Sequence, residues 1–80
     1  MPKLLERDGY RFFFYSREGN EPPHVHVTKG DCEAKFWLAP VRLQGSAGCK
    51  PREVKQMERL VARNAAAFEA RWHEYFDDQG

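Results

Sequence analysis

His24-Val25-His26-Val27-Thr28, followed after Lys29-Gly30-Asp31 by Cys32-Glu33-Ala34-Lys35-Phe36-Trp37-Leu38, is the stretch that decides the fold. Both runs alternate, and successive side chains on a strand point to opposite faces. Val25 and Val27 therefore share one face, and His24, His26 and Thr28 the other. In the second run Cys32, Ala34, Phe36 and Leu38 lie together, opposite Glu33, Lys35 and Trp37. A two-residue loop at Lys29-Gly30 sets Thr28 against Asp31, Val27 against Cys32, His26 against Glu33 and His24 against Lys35. Only a loop of even length keeps both apolar sets on one face. A three-residue loop would bring Val27 against Glu33, which a one-sided core does not tolerate.

Working outward, Asp8-Gly9 is a turn signal between two further runs, residues 3–7 and 10–16. Tyr10-Arg11-Phe12-Phe13-Phe14-Tyr15-Ser16 is too short and too aromatic for a helix and reads as a central strand. Tyr10, Phe12 and Phe14 turn inward, and Arg11, Phe13 and Tyr15 outward. Arg17 through Pro23 is a loop. Beyond residue 38, Val41-Arg42-Leu43 has weak strand character, and Gln44-Gly45-Ser46-Ala47-Gly48 reads as a flexible loop. Pro51 marks a helix start, although Lys50 is a poor cap. Val54, Met57, Val61, Ala65, Phe68, Trp72 and Tyr75, widened by Leu60 and Phe76, form one apolar stripe at helical spacing. The predicted fold is α+β: an antiparallel β-meander of three to four strands, at about 3–7, 10–16, 24–28 and 32–38, with one long C-terminal helix over about 51–76 packed on one face.

The chain of 80 residues has room for a single core, and its 41% apolar and 14% aromatic content makes the rings carry much of that core. A net charge of +1 argues against charge-driven, non-specific nucleic-acid binding. Nothing approaches the roughly 20 apolar residues of a membrane span. The start of the chain is short and charged, unlike a secretory signal. These features predict a soluble cytoplasmic protein, with Cys32 and Cys49 as reduced, inert packing thiols. The aromatic load on so small a chain also favours self-association as a two-fold dimer.

The face away from the helix then carries His24, His26, Glu33, Lys35 and Trp37, joined by Arg11, Phe13 and Tyr15. Pro22-Pro23 stiffens the entry to His24, and Glu21 is placed to orient a histidine. Two histidines at alternate strand positions project the same way, within reach of one metal ion, but need a third ligand. Glu33 across the ladder and His73 on the helix are the candidates. A bare His-x-His is weak evidence, so no cofactor is expected. Acid–base chemistry on RNA is the other catalytic reading, with His24 or His26 as base, the second histidine or Glu33 as partner and Lys35 or Arg11 on a phosphate. Without catalysis, Arg11, Glu21, His24, His26, Lys35 and Trp37 form a binding surface for a protein or RNA. Glu69 and His73, four apart on the helix, are placed to pair with each other.

The run Tyr10 to Ser16, then Glu18-Gly19-Asn20-Glu21-Pro22-Pro23-His24-Val25-His26-Val27, resembles the small bacterial family called domain of unknown function 4160. The similarity continues through Ala34 to Leu38, Pro40-Val41, Pro51-Arg52-Glu53 and Trp72-His73-Glu74-Tyr75-Phe76. Signature positions are Glu21, Pro22, Pro23, His24, His26, Lys35, Trp37, Trp72 and His73. Where the family pattern has Ser before Pro-Arg-Glu, this chain has Lys50. The resemblance implies a protein often encoded beside another small protein, in arrangements that look like toxin–antitoxin pairs. It carries no established activity. The expectation is a component of such a two-protein module, acting through the His24/His26 face on a protein or RNA. The rival is a small enzyme, either a metal-independent ribonuclease or a His-x-His metal-dependent hydrolase.

Overall fold

The computed structural model describes residues 3–77. Five strands, β1 (Lys3–Arg7), β2 (Tyr10–Phe13), β3 (His24–Lys29), β4 (Cys32–Leu38) and β5 (Val41–Ala47), pair antiparallel in chain order as one meander, and α1 (Pro51–Asp77) follows. The fold is α+β, with five strands rather than three to four. The additional one is β5, which takes in the segment read from its Gly and Ser as a flexible loop. It pairs along β4 from Leu38↔Val41 to Glu33↔Ala47. Pairing with a neighbour satisfies its backbone groups, and that outweighs poor strand propensity. The predicted second strand is shorter than expected: β2 stops at Phe13, although Phe14 and Tyr15 keep the inward and outward alternation.

The β3–β4 hairpin corrects the expected register. Its loop is Gly30-Asp31, so Lys29 pairs with Cys32, Thr28 with Glu33, Val27 with Ala34, His26 with Lys35 and His24 with Trp37. Gly30 has φ 58 and Asp31 is not in the positive-φ region. A turn with positive φ only at its first loop residue wants glycine there, as a type II′ turn does. Lys29 is therefore drawn into the strand. Each cross-strand partner moves by two residues, and a shift of two leaves every side chain on its predicted face. At Asp8-Gly9 both loop residues have positive φ, 55 and 85, the pattern of a type I′ hairpin.

Tyr10, Phe12, Phe14, Val25, Val27, Phe36 and Leu38 make the sheet side of the core, and Met57, Leu60, Val61, Phe68 and Trp72 the helix side. Tyr10 reaches out of this core to donate its hydroxyl hydrogen to Gln56 Oε1 at 2.7 Å. The helix start is held despite Lys50, because the Glu53 side chain reaches back and accepts the Lys50 backbone N–H at 2.8 Å, one half of a capping box. Cys32 and Cys49 are joined in a disulfide, so the expectation of reduced packing thiols is corrected. Spacing gave no hint of it, since sheet register brings Cys32 to the first residue of β4 while β5 returns Cys49 alongside. The bond ties the helix entry to the sheet across 17 residues, a closure worth about 3 kcal/mol in the chain-entropy account.

The helix has 27 residues, roughly 40 Å at 1.5 Å per residue, whereas the longest strands have seven, roughly 23 Å. The helix therefore outruns the sheet. Its last turns, with Trp72 and Phe76, overhang the end where β2 leaves and β3 enters.

Two glycines of the β5 region test this architecture by contrast. Gly48 has φ 72, and a Cβ there would collide with the Asp31 carbonyl oxygen, whereas a Cβ at Gly45 meets nothing within 4 Å. Gly48→Ala is expected to lower stability by more than the ~1–2 kcal/mol that left-handed backbone costs a non-glycine residue. Gly45→Ala is expected to leave it nearly unchanged. Urea denaturation of the two variants beside the parent checks both.

Candidate functional site

The overhang shapes the segment between β2 and β3. Phe14 is fully buried, with its ring edge-on to Trp72 at 5.1 Å and beside Phe76 at 5.9 Å. The chain then turns back over the end of the helix, and Gly19 lies against Phe76, where a Cβ would come within 2.6 Å of the ring. A turn closes at this point, with the Glu21 N–H donating to the Glu18 carbonyl at 3.1 Å. Glu18 and Glu21 are thereby carried to the mouth of β3, beside the histidines.

His24 is fully buried, which corrects its placement on an open surface. It is the first residue of β3, at the rim that the overhanging helix covers. Its ring packs 4.7 Å from Trp72 and 5.7 Å from Trp37. Nδ1 lies 3.0 Å from the Pro22 carbonyl oxygen. A carbonyl only accepts, so Nδ1 carries a hydrogen and donates it. Pro22 and Pro23 hold that carbonyl on a stiff segment, and the Pro23 carbonyl accepts the Leu38 N–H at 3.1 Å, fastening the entry to β4.

The other nitrogen of His24 faces Glu18. Nε2 of His24 lies 3.0 Å from Glu18 Oε1, and Nε2 of His26 lies 2.6 Å from the same oxygen. One carboxylate oxygen thus joins both imidazoles, whose rings are nearly perpendicular at 5.2 Å. The His26 and Glu18 side chains keep 16% and 21% exposure, so the cluster is closed on the His24 side and open on the His26 side. Burial works to raise the Glu18 pKa, but the hydrogen bonds and charges of His24 and His26 outweigh it and hold the carboxyl below its ordinary value. Burial pushes His26 below the usual imidazole value, with the Glu18 contact pulling the other way. An ionised carboxylate accepts from His26 as a neutral Nε2–H tautomer. His24 gives its Nδ1–H to Pro22 and turns Nε2 to the same Glu18 oxygen.

The remaining predicted site residues disperse around this cluster. Lys35 binds Glu21 Oε1 at 2.6 Å and sits over the Trp37 ring at 4.8 Å, and Glu21 Oε1 is 3.9 Å from His24 Nδ1. Arg11 pairs with Glu6 at 3.2 Å. Glu33 faces Thr28 instead of His26, so it is not the partner carboxylate of the histidines. His73 pairs along the helix with Asp77 at 3.2 Å and Glu69 at 3.9 Å and is not part of the cluster. Glu18, the residue that joins the histidines, carries no periodic signal. It lies in a loop, and its only sequence cue is its place six residues before His24.

Beside the cluster a groove of about 420 Å³ opens on the sheet face, with Phe13, Tyr15, His26 and Lys35 on one side and Gly45 and Ala47 on the other. It owes its width to β5. A bulge at Gln44 brings Gly45, with no side chain, opposite Lys35. Tyr15, 43% exposed, stands at its edge with its ring 4.4 Å from that of His26.

These features define a small α+β protein, a five-stranded meander backed by one helix, with a carboxylate–bis-histidine cluster at the sheet rim. A family model described as Domain of unknown function (DUF4160) matches residues 9–73, and the chain belongs to that family. No curated protein and no solved structure matches it. Among the described residues, no helix is long and apolar enough to cross a membrane.

The cluster also has a structural role that can be measured. Glu18→Ala removes the partner of a buried ring nitrogen, which costs about 1–3 kcal/mol. Chemical denaturation is expected to show that loss, while Glu33→Ala, out of reach of the histidines, changes stability by no more than about 0.5 kcal/mol.

Proposed function

We propose that this protein is the binding component of a toxin–antitoxin-like two-protein module and that it takes a protein partner in the groove beside His26. One observation carries the preference for protein over RNA. Two cations of this face that would hold phosphates, Lys35 and Arg11, are each paired with a carboxylate, Glu21 and Glu6, and Arg42, opposite Trp37 on β5, is not among the residues that line the groove. The aromatic edge formed by Phe13 and Tyr15, with the small residues of β5 opposite, suits an inserted apolar or aromatic side chain. RNA recognition on a sheet also uses exposed rings, but with unpaired cations tracking the backbone. The two-protein arrangement itself rests on what membership of the family implies for gene neighbourhood.

The test is co-expression with the protein encoded by the adjacent gene, followed by co-purification. Gly45→Phe fills the groove at a position where added atoms meet open space. It is expected to leave the circular dichroism spectrum unchanged and to abolish the complex. A complex that survives Gly45→Phe places the partner elsewhere. A pure chain that retains RNA and ignores the neighbour overturns the reading, and a homodimer filling the groove does so as well.

A second reading, a small acid–base ribonuclease, is favoured by one contact. Glu18 on His26 is the carboxylate–imidazole couple that orients a general base. In that case expression of the chain alone is toxic, and His26→Ala abolishes the toxicity in a protein that still folds.

A further inference from the structure

Three side chains that can each donate an electron pair, Glu18, His24 and His26, bring their ligand atoms within 4.8 Å of one another. Two sit on a strand and one on the turn pinned against Phe76. The convergence has a chemical oddity. A carboxylate oxygen and two imidazole nitrogens are all electron-rich, and something positive must lie between them. His24 has no solvent exposure and gives its Nδ1–H to the Pro22 carbonyl, which leaves Nε2 as the ring atom aimed at Glu18 Oε1.

We propose that Glu18, His24 and His26 bind a divalent first-row transition-metal ion, such as zinc or ferrous iron, through Oε1 and the two Nε2 atoms. His24 stays neutral, keeps its Nδ1–H on the Pro22 carbonyl and turns the Nε2 lone pair to the ion. That outer hydrogen bond to a backbone carbonyl is how metal-ligating histidines are commonly oriented. The Trp37 and Trp72 rings fix the His24 ring from the sides, so one ligand is rigidly placed. Glu18, on a loop, is the ligand free to adjust. Metal–ligand bonds of roughly 2.0–2.2 Å set ligand atoms roughly 3.3–3.6 Å apart at tetrahedral angles, so the carboxylate backs off from His26 and the His26 ring, on the open side, swings toward His24.

The donor set also selects the ion. Two imidazoles and one carboxylate suit zinc and iron, whereas magnesium and calcium want oxygen. Three protein ligands with the His26 side open is the plan of a site that keeps a position for water or a ligand. That open side borders the groove. The proposal does not depend on what occupies the groove.

The test uses the whole chain without a histidine tag, oxidised so that Cys32 and Cys49 stay in their disulfide and offer no thiolate. After treatment with a chelator and desalting, Co(II) is titrated in and visible absorption is followed. The expected result is a d–d band that saturates at one equivalent and is displaced by one equivalent of Zn(II). His26→Ala and Glu18→Gln should each weaken Co(II) binding at least tenfold, and His73→Ala should not change it. Circular dichroism checks folding. If His26→Ala does not fold, Glu18→Gln, which keeps the shape and one oxygen of the side chain, carries the comparison. No saturable band in the parent overturns the proposal, and so does a band that Glu18→Gln leaves unchanged.

Discussion

The packing of Trp72 and Phe76 beyond the end of the sheet is the constraint on which the rest depends. A helix longer than the strands it covers must either leave its last apolar residues in water or recruit something to cover them. Here Phe14 and the ring of His24 pack on Trp72, and Gly19 comes down on Phe76. The loop between β2 and β3 is folded back by this apolar contact, whose driving force is the area taken from water. Glu18 is delivered to the histidines as a consequence. A chemical site is thus built by ordinary core packing at one end of the molecule.

The opposite end is governed by a different device. The disulfide from Cys32 to Cys49 and the left-handed Gly48 fix where β5 ends and the helix begins. The Glu53 side chain then supplies the cap that Lys50 lacks. The helix is therefore aimed at its start by covalent and backbone constraints and held at its finish by aromatic packing, and β5 sits between as the wall of the groove. Its Gly and Ser weaken it as a strand and, through the bulge opposite Lys35, open the groove.

Charge around the cluster is internally balanced. Lys35 with Glu21, Arg11 with Glu6, and Glu18 with two imidazoles leave a surface whose polarity is mostly spent on itself. Such a face recognises shape and apolar area more readily than a polyanion. The unusual feature is the sharing of one carboxylate oxygen by two ring nitrogens, one of them on a fully buried ring.

Much of this was legible in the sequence because it follows from local periodicity. Alternation in β3 and β4, the Asp8-Gly9 turn and the helical stripe from Val54 to Phe76 assign the elements, and Tyr10, Phe12 and Phe14 are the inward set. Even the hairpin that formed one residue later than expected kept each face, because its pairing moved by two. What only the tertiary structure decided is non-periodic: β5 as a strand, the pairing of Cys32 with Cys49, the burial of His24 and the arrival of Glu18. Each depends on where distant parts of the chain meet. Alternation says which way a residue points, but the length of the helix against the length of the strands decides what it finds there.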